Sequence, residues 1–176
     1  MNQGATLIRK DFLMKIITPL DENKDVDYVN SYTFFLAGGC TTNWRDEFIQ
    51  KISEICKIEN IVFFNPMCDS KKIKLRDLLL WEKRHILKCD TLVFNFEGSD
   101  SPQPGSMFEL GRYALNKCEH GNTLVNIDKG YKLKREARFH IEMMNDSDLM
   151  SHGIELFDSE LDKMINRCAE LIEDNT

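Results

Sequence analysis

The chain has 176 residues, 42% of them hydrophobic, and a formal net charge of −6. That length suits one domain with a real core. The acidic balance argues against a nucleic-acid polymer or an anionic membrane as main partner, because both demand a basic face, and no apolar run approaches membrane-spanning length. A small ligand stays open.

Residues 1–30 read as a weakly structured or edge-strand extension of this single domain. Phe12 to Thr18 could add a strand at a sheet edge, and the polar stretch from Pro19 to Ser31 reads as loop. "YTFFLA" (32–37) is a strand, broken by Gly38-Gly39. Asn43 to Ile58 is a helix with Trp44, Phe48, Ile52 and Cys56 along one face. "NIVFFNP" (60–66) is a short buried strand, and 73–88 is a second helix. "DTLVFNF" (90–96) is a strand, followed by a loop from Glu97 to Gly105 and a third helix from Met107 to Lys117. "NTLVNID" (122–128) is a strand and 133–144 a helix. "GIELFD" (153–158) is a short strand, and Ser159 to Glu173 closes the chain as a helix. Strands alternating with helices imply a parallel sheet covered on both faces. Right-handed crossovers then make a doubly wound α/β/α sandwich in three layers around five main strands; with an order of 2-1-3-4-5, the first and third strand-end loops would flank the switch point.

Ligands of such sheets bind beyond the carboxyl ends of the strands, at the switch point in strand order. Three unusual loops open there: "AGGCTTNW" (37–44), "NPMCDS" (65–70) and "EGSDSPQPGSMFE" (97–109). The first lets backbone approach a ligand at Gly38-Gly39, yet it is neither a phosphate-binding Walker loop nor a dinucleotide fingerprint. The third delivers Glu109. The spacing Ser106-x-x-Glu109 also fits a capping box, in which Glu109 merely closes a helix start. Convergence of the three loops favours a functional reading. Glu82 carries a second signal: Leu75, Leu79, Glu82, Ile86 and Cys89 form a helical stripe with a carboxylate in its middle. A carboxylate is rarely buried unless paired or used. Near Glu109, its pKa should rise, leaving one carboxylate ionised and the other able to hold a proton. Two carboxylates so separated suit the breaking of a glycosidic bond.

The remaining chemistry is sparse. The six cysteines are irregularly spaced and read as free thiols of a reducing cytoplasm. Cys118-x-His120 is one pair and not a metal site. No signal peptide is expected, since Lys15 interrupts the apolar stretch near the start. Trp44 and Trp81 read first as packing residues, and the four histidines have no triad-like context.

Taken together, "FFLAGG", the "NP" after the second strand, and "WE" and "CDTLVFNF" leading to "MFELGRYAL" resemble the nucleoside 2-deoxyribosyltransferase-like family, over roughly residues 32 to 127. The resemblance implies a flavodoxin-like fold and chemistry at C1′ of a deoxyribonucleoside, with no metal or redox cofactor. By that resemblance Glu109 is the nucleophile and Glu82 the acid that assists at the base. Ala37, Gly38 and Gly39 form the first binding loop, and Asp100 is the candidate sugar-binding acid. Trp44 joins the apolar side chains on which a base would stack, Asn65 is the candidate of the second loop, and Met107 flanks Glu109 with Phe108 in a dry pocket. Well-known transferases carry a Tyr on the first strand that orients the nucleophile; here that strand shows Phe34 and Phe35. Related nucleoside monophosphate N-glycosidases use a Ser in the third loop, for which Ser99, Ser101 and Ser106 are available.

The expected reaction is therefore base exchange through a covalent deoxyribosyl-Glu109 ester, with the helix N-terminus helping to keep Glu109 ionised. Its partners are a nucleoside or nucleotide and a free nucleobase, in a cytoplasmic homo-oligomer. Hydrolysis of a nucleoside 5′-monophosphate, a non-catalytic nucleotide sensor and a flavin-binding electron carrier are the alternatives.

Overall fold

The structure, a computed structural model, describes residues 14–21, 26–58, 60–99, 101–117, 121–146 and 153–175. Its strands are β1 (Met14–Ile17), β2 (Tyr32–Gly38), β3 (Ile61–Phe64), β4 (Thr91–Phe96), β5 (Asn122–Ile127) and β6 (Glu155–Asp158). Its helices are α1 (Trp44–Ile55), α2 (Leu75–Lys88), α3 (Pro104–Lys117), α4 (Lys134–Asn145) and α5 (Leu161–Asp174). All strands pair in parallel, in the order β1-β3-β2-β4-β5-β6. From β3 to β6 this is the expected five-stranded order. The sheet has six strands rather than five because β1 extends β3 at the edge, with Ile16 beside Phe63.

Strand alternation sorts side chains into two cores. Phe34, Leu36, Phe63 and Val93 face α1 and α5, packing with Phe48, Ile52, Met164 and Cys168. Phe35, Phe64, Phe94 and Val125 face the other layer, with Ile86, Leu110, Ala114 and Ile141 from α2, α3 and α4. Both faces of the central strands are thus sealed, as a parallel sheet requires. No helix of the described residues is long and apolar enough to cross a membrane.

Two sequence expectations fail here. The α2 stripe is buried only in its second half: Leu75 is 69% and Leu79 53% exposed, while Ile86 and Cys89 are buried. The first turns of α2 carry leucines that no described residue covers. The capping box is absent as well. Helix α3 begins at Pro104, whose fixed φ suits a first helical turn. The Met107 amide donates to the Gln103 carbonyl at 3.2 Å, so Ser106 lies inside the helix and cannot cap it.

Candidate active site

Parallel strands put the loops after β2, β3 and β4 at one end of the sheet, and β2 and β4 are neighbours there. The first loop is built around its glycines. Gly38 has φ +131°, and a Cβ at this position would lie 2.2 Å from the Asn95 carbonyl oxygen. A Cβ on Gly39 would lie 1.9 Å from Glu97 Oε2. Glycine is required at the first by backbone conformation and at both by close approach. Ala37, by contrast, is sealed in the core, so its side chain has no access to a ligand.

Two buried charged side chains hold this loop. Glu97 accepts from the Thr41 amide at 3.0 Å and hydroxyl at 2.8 Å, from the Thr42 amide at 2.9 Å, and from the Thr42 hydroxyl. Although burial opposes its charge, these donors hold its pKa below the usual carboxylate range. Arg45 donates through Nε to the Leu36 carbonyl at 2.9 Å. Its terminal nitrogens donate to Gly39 at 2.6 Å and Gly38 at 3.1 Å. Trp44 Nε1 also donates to the Gly39 carbonyl, at 3.0 Å. Trp44 is thereby buried against Phe48 with Arg45 over its ring, which corrects its assignment as a base-stacking residue.

Glu109 stands more than one turn inside α3. The field of a helix end fades within the first turn, so the expected help from the α3 N-terminus does not reach it. Burial, then the Glu82 carboxylate, push its pKa up to about 7, while Arg45 pulls the other way. Glu82 lies on the part of α2 that dips toward the sheet, and burial raises its pKa too. Glu109 therefore senses the charge of Glu82, and both carboxylates favour the proton more than a solvated Glu. The second loop reaches the same place, since the Glu82 charge acts on Cys68.

The other sequence candidates divide. Asn65 receives the Met67 amide at 3.0 Å on its own side chain, making a local turn after β3. Ser106 is buried on the inner side of α3. Met107 packs against the core, whereas Phe108 is exposed, so only the first of these two flanks is dry. Phe34 and Phe35 are fully buried and offer no hydroxyl. Asp100, Cys118, His120 and His152 lie outside the described residues. Among the described residues no group of three His, Cys, Asp or Glu side chains could hold a metal ion.

Sequence reasoning missed Arg45 and Glu97. Glu97 opens a polar loop at the end of β4, and the run Arg45-Asp46-Glu47 has the look of a solvated helix start. Gln103 was also unmarked. It takes φ +44° just before α3 and donates through Nε2 to the Glu97 carbonyl at 3.1 Å, which ties the third loop to the first. Its buried Oε1 has no partner among the described residues.

A family model described as nucleoside 2-deoxyribosyltransferase like matches residues 31–131, the span that contains the three loops and both carboxylates. No curated protein matches the chain.

Proposed function

Because the chain belongs to the nucleoside 2-deoxyribosyltransferase-like family, we propose that it exchanges the base of a 2′-deoxyribonucleoside through a covalent ester on Glu109. What supports this reading is a Glu109 whose pKa is raised by burial and by the Glu82 charge, the two carboxylates standing on α3 and α2, the helices that follow β4 and β3. An ionised oxygen of Glu109 attacks C1′ while the C1′–N bond breaks and its electron pair leaves with the base. Glu82 gives the departing base a proton. An incoming base then attacks C1′ from the vacated side. The C1′–O bond to Glu109 breaks, the carboxylate is restored, and Glu82 takes the proton that the new base loses. These steps require no metal or redox cofactor.

Substrate contacts in this proposal come from the backbone at Gly38 and Gly39, from Asn65, and from Asp100, Ser106 and Met107 of the third loop. The protein acts in the cytoplasm as a homo-oligomer, with no nucleic-acid or membrane partner. Water in place of the second base would make the same ester a hydrolase intermediate, and that N-glycosidase is the second reading. The exposed Phe108 favours it, because one flank of the ester is open to water.

The test supplies labelled free base with an unlabelled 2′-deoxyribonucleoside, and in parallel with its 5′-monophosphate. Labelled nucleoside is the expected product. Accumulation of deoxyribose or its 5-phosphate whatever base is present would make the protein a hydrolase. Binding without turnover would make it a sensor.

A further inference from the structure

The tip of the first loop is held from beneath by one side chain. Cys40, Thr41, Thr42 and Asn43 are exposed. Yet Thr41 and Thr42 turn their amides and hydroxyls inward, to a Glu97 that is 4% exposed. The four donors are shared evenly. Glu97 Oε2 accepts from the Thr41 amide at 3.0 Å and hydroxyl at 2.8 Å, while Oε1 accepts from the Thr42 amide at 2.9 Å and from the Thr42 hydroxyl. Such a set demands a group that only accepts, which is the ionised carboxylate. Bonds to a charged oxygen are roughly twice as strong as those between neutral groups. Among the described residues, every long-range hydrogen bond of Thr41 and Thr42 ends on Glu97.

Glu97 is itself anchored. Its carbonyl accepts from the Ser99 amide at 2.8 Å and from Gln103 Nε2 at 3.1 Å. The root of the third loop thus fixes the residue whose side chain fixes the first. The carboxylate also lies against Gly39, where a Cβ would come within 1.9 Å of Oε2. The other polar groups of Gly39 are held separately: its amide donates to the Asn95 carbonyl, and its carbonyl accepts from Trp44 and Arg45. What depends on Glu97 is the chain just beyond, from Thr41 to Thr42.

We propose that Glu97 is a positioning residue for substrate binding: its carboxylate holds the tip of the first loop against the root of the third, so the loop has its binding shape before a ligand arrives. A loop already ordered spends less binding energy on ordering itself. This rests on the reading of the first loop as the substrate loop. A purely architectural Glu97 would contribute to stability and leave affinity untouched, and that difference can be measured.

The experiment uses the full chain with Glu97→Gln and, separately, with Thr41→Val and Thr42→Val combined. Glu97→Gln keeps the shape but replaces one acceptor oxygen by a donor nitrogen, which then faces the donors of one threonine. The valine pair keeps the carboxylate and both amides, and it carries the test if Glu97→Gln does not fold. Amide hydrogen exchange at residues 41 and 42, the Kd of a 2′-deoxyribonucleoside by calorimetry, and KM and kcat for base release are measured. Exchange at the tip should speed up while β4 stays protected. In Glu97→Gln, Kd and KM should rise about tenfold and kcat should stay within about twofold, because the carbonyl that ties Gln103 is untouched. The valine pair should move Kd and KM the same way by less. Unchanged exchange, unchanged Kd, or a loss confined to kcat overturns the proposal. Calorimetry needs no turnover. A weakened Kd in a chain whose wild type releases no base supports the positioning role and overturns the transferase reading, so the two failures are told apart. A wild type that binds no deoxyribonucleoside overturns both.

Discussion

At the scale of single residues, the charge state of Glu109 bears on stability and, in the proposed reaction, on rate. Its folded pKa of about 7 stands above the ordinary 4.5. Between those values the folded chain keeps a proton that the unfolded chain has released. Stability from this group is therefore complete below the lower value and is lost as pH rises through the upper one. Glu109→Gln cannot ionise. Its melting temperature should match the wild type's near pH 4 and exceed it near pH 8, the gap opening between. Thermal melts by circular dichroism across that range check the sign, and a gap independent of pH would mean that Glu109 is not raised. The same variant should lose base release, because an amide is no nucleophile. In the wild type the rate should fall as pH drops below about 7. Persistence of near-normal turnover in Glu109→Gln would remove this residue from the mechanism.

At the scale of elements, α2 shows why a helical stripe does not by itself say what is buried. The spacing of Leu75, Leu79, Glu82, Ile86 and Cys89 is that of a core face, yet only the second half lies on the sheet. The anchor is His85, stacked on Phe64 with ring centroids 4.1 Å apart and hydrogen-bonded through Nδ1 to the Tyr28 hydroxyl at 2.7 Å. Burial, helped by Arg84 and Lys88, lowers the His85 pKa to about 4 from the ordinary 6.5. Here the folded chain lacks a proton that the unfolded chain binds between those values. The contribution is present above the upper value and is lost as pH falls toward the lower one. His85→Gln should flatten the acid decline of stability between about pH 6.5 and 4. Urea melts at several pH values report it, and parallel declines in variant and wild type would show that His85 does not titrate as described.

At the scale of the whole molecule, the first turns of α2 and the exposed Phe108 of α3 leave apolar side chains near the mouth of the proposed site, on helices that pack together. Leu75, Leu79 and Leu80 are all exposed there. Such a face suits a second copy of the chain. Sedimentation should show an assembly larger than 20.5 kDa, and Leu79→Glu should shift it toward the monomer without unfolding it. A wild-type monomer at high concentration would leave these leucines without that role.

The sequence alone determined the order of elements, and with it the end of the sheet where the loops after β2, β3 and β4 meet. Alternation along strands and periodicity along helices are local signals, and right-handed crossovers do the rest. Glu82 and Glu109 were legible for the same reason: each is a carboxylate where local pattern calls for an apolar or turn residue. Only the tertiary structure decided how far α2 lies on the sheet, where α3 begins, and that Trp44 is buried. It alone revealed Arg45 and Glu97, which look like surface charges in one dimension. Burial and electrostatic coupling depend on what elements distant in the chain bring to a residue, and no local spacing encodes that. The charge on Glu109 answers to such arrivals: burial, Glu82 from α2 and Arg45 from α1.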